Sequence, residues 1–160
     1  MPEVYLETSF VSACVTDRKD PKSIYRREES LEWWESQRMR HLLHVSDEVI
    51  AELSHPTYRR RRAAGELVRG IPSLAINDDA IGFAKILVAE KVMPAPLAGD
   101  ALHVALASVH EMEYVLTWNV RHLANPNKTR HFGEICMPMG LIPPRIVTPD
   151  LLWEPDDEQG

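Results

Sequence analysis

The run LAGDALHVALASVHEMEYVLTWNVRHLAN, residues 97–125, reads as a helix, a tight connection, a buried strand and a polar crest. Gly99-Asp100 supplies the helix start, because Asp is a favoured N-cap and its carboxylate suits the positive end of the helix dipole. Seven of the nine residues from Ala101 to Val109 are apolar, so this helix is apolar nearly all round and belongs at the centre of the molecule. Tyr114–Trp118 is rich in β-branched and aromatic residues and reads as an interior strand. Asp100 opens the helix and Asn119 closes the strand. Both then reach the edge beyond the strands' carboxyl ends, where open α/β sheets build their sites.

The same alternation extends in both directions. Strands are predicted at Val4–Leu6, Leu42–Val45, Ser73–Ile76 and Arg145–Thr148. Helices are predicted at Phe10–Val15, Ser23–Arg40, Asp47–Ser54, Tyr58–Val68, Asp78–Lys91 and Lys128–Met137. Ser46 and Asn77 or Asp78 stand where caps are needed, and Pro21 suits a first helical turn. A chain that alternates in this way implies an α/β domain with a mainly parallel sheet between helices. A single domain over residues 1–152 follows, with an acidic, frayed tail over 153–160.

With 160 residues, 44% hydrophobic and 26% charged, the chain has enough apolar material for one well-buried core. No apolar run approaches the roughly 18 residues of a membrane span, and MPEVYLETSF lacks the basic-then-apolar pattern of a leader. The expectation is a cytoplasmic protein without a membrane partner. Cys14 and Cys136 are then reduced thiols rather than a disulfide. The net charge of −6 argues against a general nucleic-acid coat. Charge is unevenly spread, however: residues 41–70 hold five arginines against four acids, and residues 71–113 hold six acids against two lysines.

Four polar positions recur at strand-to-helix edges: Glu7 with Thr8 and Ser9, then Glu52, Asp100 and Asn119. Three carboxylates brought to one spot repel one another unless a divalent cation sits among them, and all-oxygen ligands suit Mg²⁺ or Mn²⁺. On residue type alone, Glu7 exposed, Glu52 solvated and Asp100 a simple cap is an equally open reading. His103 shares a helical face with Asp100, either packed against backbone and carboxylate or supporting a pocket. Arg59–Arg62 are a solvated face or a phosphate contact, and Arg121 and His122 are substrate contacts or parts of a turn. Trp118 reads as core, and exposure of Trp33 or Trp34 would mark a protein interface.

Five blocks carry a resemblance to a known family: VYLETSFVSA (4–13), VSDEVIAEL (45–53), GDALHVALA (99–107), YVLTWNVRHLAN (114–125) and IVTPDLL (146–152). In this order and spacing they resemble the PIN-domain proteins, more narrowly the VapC-type ribonuclease toxins of toxin–antitoxin pairs. The likeness covers essentially the whole chain and is least diagnostic over residues 21–40. It implies a three-layer α/β/α fold and endonucleolytic cleavage of RNA with Mg²⁺ or Mn²⁺. A cognate antitoxin as inhibitor and a homodimer are the implied partners.

Carried across, the family's acids fall on Glu7, Glu52 and Asp100, with the fourth position on Asn119. Glu7, Asp100 and Asn119 are then the metal-holding set. Thr8, Ser9 and His103 support it, and Arg121, His122, Arg59 and Arg62 meet substrate. Two positions depart from the pattern: Glu7 stands where the family has Asp, one methylene shorter, and Asn119 removes a charge at a position that is commonly Asp. The alternative is a catalytically silent PIN domain that binds RNA or protein. A phospho-acceptor domain of similar shape is excluded, because the acid cluster and the later strand-end lysine it requires are missing from the sequence.

Overall fold

In the computed structural model, which describes residues 1–155, five short parallel strands form one sheet. They are β1 (Glu3–Leu6), β2 (Leu42–Ser46), β3 (Ser73–Leu74), β4 (Tyr114–Leu116) and β5 (Arg145–Val147), in the order β3-β2-β1-β4-β5. β1 is central, with Tyr5 opposite His44 on one side and Val115 on the other. Val4, Tyr5 and Leu6 are fully buried, as expected of a parallel strand covered on both faces.

Seven helices connect the strands: α1 (Thr8–Val15), α2 (Pro21–Gln37), α3 (Asp47–Leu53), α4 (Arg61–Leu67), α5 (Asp78–Ala89), α6 (Leu102–Val109) and α7 (Pro126–Cys136). The right-handed crossover rule assigns their layers. From β1 to β2 to β3 the chain moves one way across the sheet, which puts α1–α4 on one face. From β3 back past β1 to β4 and β5 it moves the other way, which puts α5–α7 on the opposite face. The contacts agree: the Phe10 ring packs edge-on against Trp33 in the first layer, and Phe83 lies 6.3 Å from Phe132 in the second. The α/β/α layering expected from the sequence is the observed one. The reversal of direction between β1 and β4 is a topological switch point, and it fixes where a site can open.

Several boundaries differ from expectation for identifiable reasons. α1 begins at Thr8 rather than Phe10 because Glu7 caps it, its Oε2 accepting from Ser9 N–H at 2.9 Å. α4 begins at Arg61 rather than Tyr58, since the turn after Pro56 delays it and the Tyr58 hydroxyl donates to Ser12 Oγ at 3.2 Å. β3 stops at Leu74 and β4 at Leu116, so Thr117–Asn119 form a crest rather than strand. Trp33 is fully buried, its indole N–H donating to the Leu152 carbonyl at 2.6 Å, so it marks no interface. Trp34 is half-buried, with the Arg38 guanidinium over its ring.

The start of the expected tail is also held: Glu154 N–H donates to Gln37 Oε1 at 2.9 Å and Arg40 donates to the Pro155 carbonyl at 3.0 Å. Residues 156–160 of that tail lie outside the described residues. Both cysteines are free and buried. Among the described residues, no helix is long and apolar enough to cross a membrane.

Candidate active site

Glu7 follows β1 directly, at the switch point, and is 6% exposed. Three donors hold its carboxylate. Ser9 Oγ donates to Oε1 at 2.6 Å, Thr117 Oγ1 donates to the same oxygen at 2.5 Å, and Ser9 N–H binds Oε2. Each hydroxyl in turn accepts a backbone N–H of the crest, Trp118 onto Ser9 at 2.8 Å and Asn119 onto Thr117 at 3.0 Å. The first turn of α1 and the crest after β4 are thus stitched together through one carboxylate. An anion buried with this many donors is well accommodated.

Asp100 reaches the same place by a different local structure from the one expected. The sequence places it as a helix cap. In the structure Leu97–Ala101 is a π-type turn, kinked where Ala98 and Gly99 leave helical geometry. Gly99 has φ of +99°, a conformation that a side chain would strain. Asp100 then stands inside the turn, and its Oδ1 accepts from Asn119 Nδ2 at 3.0 Å. Burial pushes the Asp100 carboxyl up, and the Glu7 charge adds to this; the charges of His122 and His103 and the Asn119 bond only partly offset them.

The orientation of Asn119 is fixed by chemistry, because its Oδ1 accepts from His122 N–H at 3.0 Å. The amide N–H, not the oxygen, therefore faces Asp100.

Glu52, on α3, does not join this pair. Its Oε1 accepts from Thr8 Oγ1 at 3.1 Å and from His103 Nε2 in a short contact. Burial alone would raise the Glu52 carboxyl, but the His103 hydrogen bond and charge, with Thr8, bring it below its usual value. Burial likewise pulls the His103 imidazole down, and the Glu52 hydrogen bond with the charges of Glu7, Glu52 and Glu48 more than reverses this. The expectation of three carboxylates at one point is corrected accordingly. Among the described residues, no group of three or more His, Cys, Asp and Glu is placed to hold one metal ion.

A groove of about 600 Å³ opens beside these residues, lined by Glu7, Thr8, Ser9 and Glu52 at one end and by Arg18, Arg26, Arg59 and Arg60 beyond. Trp118 lines it too, 7% exposed, with its indole N–H on Ser30 Oγ at 2.7 Å and the Arg26 guanidinium 5.2 Å over its ring. The four arginines of the stripe, of which Arg59 and Arg62 are the expected substrate contacts, are divided. Arg59 pairs with Asp17, Arg60 Nε donates to the Val15 carbonyl at 2.8 Å, and Arg61 donates to the Pro56 and Tyr58 carbonyls at 3.4 Å. Arg62 is exposed and does not line the groove. Arg121 is exposed, and His122 is close enough for its charge to act on Asp100.

Sequence reading missed Thr117 and Tyr5, both of which it counted only as strand. The available signal for Thr117 was a hydroxyl at the end of a strand. It also missed Glu48, one helical turn before Glu52, whose carboxyl burial and the Glu52 charge push up.

No family model matches the chain, and no curated protein is similar to it in sequence. Solved structures are similar. The VapC20 toxin of Mycobacterium tuberculosis, described as sarcin–ricin loop cleaving, superposes with a TM-score of 0.57 at 16% identity, over 75% of this chain and 92% of that one. FitAcB from Neisseria gonorrhoeae gives 0.57 at 13% identity, over 93% and 99%. VapBC2 from Rickettsia felis, bound to a fragment of promoter DNA, gives 0.54 at 12%, over 94% and 98%. At these identities the likeness is one of fold: the chain has the PIN-like α/β/α fold of these proteins.

Proposed function

We propose that this protein is an endoribonuclease of the toxin kind, dependent on Mg²⁺ or Mn²⁺, that cuts RNA held in the groove between α1, α2 and α4. The observation that carries the reading is the Glu7–Asp100 pair. Three donors hold the Glu7 carboxylate, and burial together with the Glu7 charge raises the Asp100 carboxyl. The fold likeness to VapC20, a toxin described as sarcin–ricin loop cleaving, supports the same reading.

The donor set fits a thinly held hard cation. Glu7 Oε2 and the Asp100 carboxylate are the oxygens left to hold it, and Mg²⁺ accepts few protein ligands because it keeps several waters. When bound, such an ion polarises the phosphodiester and acidifies the attacking water. The rest belongs to the chain. Ser9 and Thr117 fix Glu7 in the lining of the groove, and Asn119 orients Asp100 through its amide N–H. Asn119 therefore acts on Asp100 rather than as an oxygen donor. Arg18 and Arg26 on the rim supply cations for backbone phosphates, with His122 beside Asp100. A cognate antitoxin that covers the groove is the partner this reading implies.

The test is direct. Purified protein incubated with end-labelled RNA and Mn²⁺ is expected to cut internally, and chelation is expected to stop it. RNA that stays intact with Mg²⁺ and with Mn²⁺ would overturn the nuclease reading. Two observations favour the alternative of a silent RNA- or protein-binding module: Glu52 is already paired with His103, and a neutral amide stands at position 119. Binding without cleavage in the same assay selects it.

A further inference from the structure

A buried chain of side chains lies directly behind the groove and takes no part in the proposed metal site. It starts at Ser46 Oγ, which accepts from Val49 N–H at 3.1 Å at the head of α3. Tyr5 Oη is 2.8 Å from Ser46 Oγ and 2.5 Å from His103 Nδ1. His103 Nε2 then meets Glu52 Oε1. Four elements, β1, β2, α3 and α6, each supply a member. Tyr5 is 0% and His103 1% exposed, so no water completes their hydrogen bonding from outside.

Glu52 is held below its usual value, so its carboxylate accepts and His103 Nε2–H donates. When the ring is neutral, Nδ1 accepts from Tyr5 O–H, Tyr5 Oη accepts from Ser46 Oγ–H, and Ser46 Oγ accepts from Val49 N–H. When both nitrogens carry a proton, the form its raised value favours, Nδ1–H donates to Tyr5 Oη and Tyr5 O–H donates to Ser46 Oγ. In both forms Nε2–H is the atom that meets Glu52 Oε1. Buried polar residues retained in the middle of a central strand and a central helix are costly unless so satisfied.

The far end of the chain is what gives it a purpose. Both donors that reach Glu52, Thr8 Oγ1 and His103 Nε2, bind Oε1. Oε2 has no partner among the described residues, and Glu52 lines the groove with its side chain 36% exposed.

We propose that Tyr5 and His103 are positioning residues that lock the Glu52 carboxylate by Oε1 and so present Oε2 to the groove, as the acceptor for a water or ribose hydroxyl of the bound strand. Glu52 is then the group that touches the reactants, and it is distinct from the carboxylates that hold the cation. This role rests on the ribonuclease reading, but the linkage itself does not.

The experiment uses the full chain with ¹⁵N-labelled histidine, at one pH, and the variants Tyr5→Phe, Glu52→Gln, His103→Gln and His103→Leu. Tyr5→Phe removes one oxygen and keeps the packed ring. The imidazole signal absent from His103→Gln identifies His103, and it should move in both Tyr5→Phe and Glu52→Gln. In RNA cleavage, Tyr5→Phe should lower kcat about tenfold with KM nearly unchanged, the size typical of a lost outer partner. His103→Gln, which keeps a side-chain N–H for Glu52, should retain more activity than His103→Leu. An imidazole signal that ignores Glu52→Gln, or a Tyr5→Phe protein with wild-type kcat, overturns the proposal. Wild-type protein that cuts no RNA while its His103 signal responds to both substitutions overturns the nuclease reading instead and leaves the linkage standing.

Discussion

The surroundings of Asp100 give a prediction with a definite sign. Burial and the Glu7 charge raise its carboxyl above the usual value in the folded protein. A carboxyl raised on folding favours the protonated form, so the stability it contributes is present at low pH and is lost as pH rises through the folded value. In metal-free buffer near pH 8, Asp100→Asn should therefore raise Tm. The gain should be only about a degree or two, because the side chain is half-exposed and solvent screens it. It should shrink as the pH is lowered into the range where Asp100 protonates. Mn²⁺ should stabilise the wild type in a thermal-shift assay and should no longer stabilise the variant. An equal Mn²⁺ response in both would remove Asp100 from the cation site. Sequence alone predicts no gain, since it reads Asp100 as a cap whose loss of charge is neutral. Its place at the strand-end edge was legible from the Gly99-Asp100 pair. The direction of its carboxylate was not, because that depends on the Asn119 amide, which His122 N–H orients from the following turn.

At the level of elements, the parts legible in the sequence are those whose pattern has one solution. β1 and β4 are continuous apolar runs at parallel-strand length, and α6 is apolar on every side. The parts that were not legible are the joints between elements, where a polar side chain serves two of them at once. Ser46 is such a joint. It was readable as a cap for α3, and it does accept from Val49 N–H. Its second contact, Tyr5 Oη from the neighbouring strand, depends on the register of β1 against β2. Ser46→Ala removes both. The cap is worth about 1 kcal/mol and the buried hydroxyl left without its partner a similar amount. A fall in Tm of roughly 4–8 °C is expected for a chain of this size. Asp20→Ala, which removes an exposed cap from α2 and nothing else, should cost clearly less. Equal losses in the two variants would mean that the Tyr5 contact contributes nothing.

For the whole molecule, the strand order does what no local pattern reveals. Alternating strands and helices announce a parallel sheet, but not that the chain reverses direction between β1 and β4. That reversal lets Glu7 and Asp100 be linked through Thr117 and Asn119 and puts residues of α1 and α2 and the approach to α4 around the groove. It also decides which cations can meet a polyanion. A chain with net charge −6 repels RNA at long range, so the proposed RNA binding requires a local set of cations. The sequence offers Arg59–Arg62 as a block; the structure puts Arg59 and Arg60, which precede α4 and are bonded to Asp17 and the Val15 carbonyl, on the groove, and adds Arg18 and Arg26 from around the start of α2. If RNA runs along this groove, each phosphate contact releases condensed counterions. The dependence of log affinity on log salt should then flatten by about 0.7 for each contact removed on a single strand. Binding measured in chelator, where no cleavage occurs, should show this flattening for Arg26→Gln and for Arg18→Gln, to a similar degree on RNAs of different sequence. Arg62→Gln, an exposed arginine of the same block that lies off the groove, should leave the slope unchanged. Arg26 carries a second load, since its guanidinium lies over the Trp118 ring. Arg26→Lys separates the two: it keeps the charge and the slope but loses the planar stacking, so any further weakening is common to all salt concentrations. A slope that flattens for Arg62→Gln and not for Arg18→Gln or Arg26→Gln would place the RNA on the outer face of α4 and empty the groove of its proposed role.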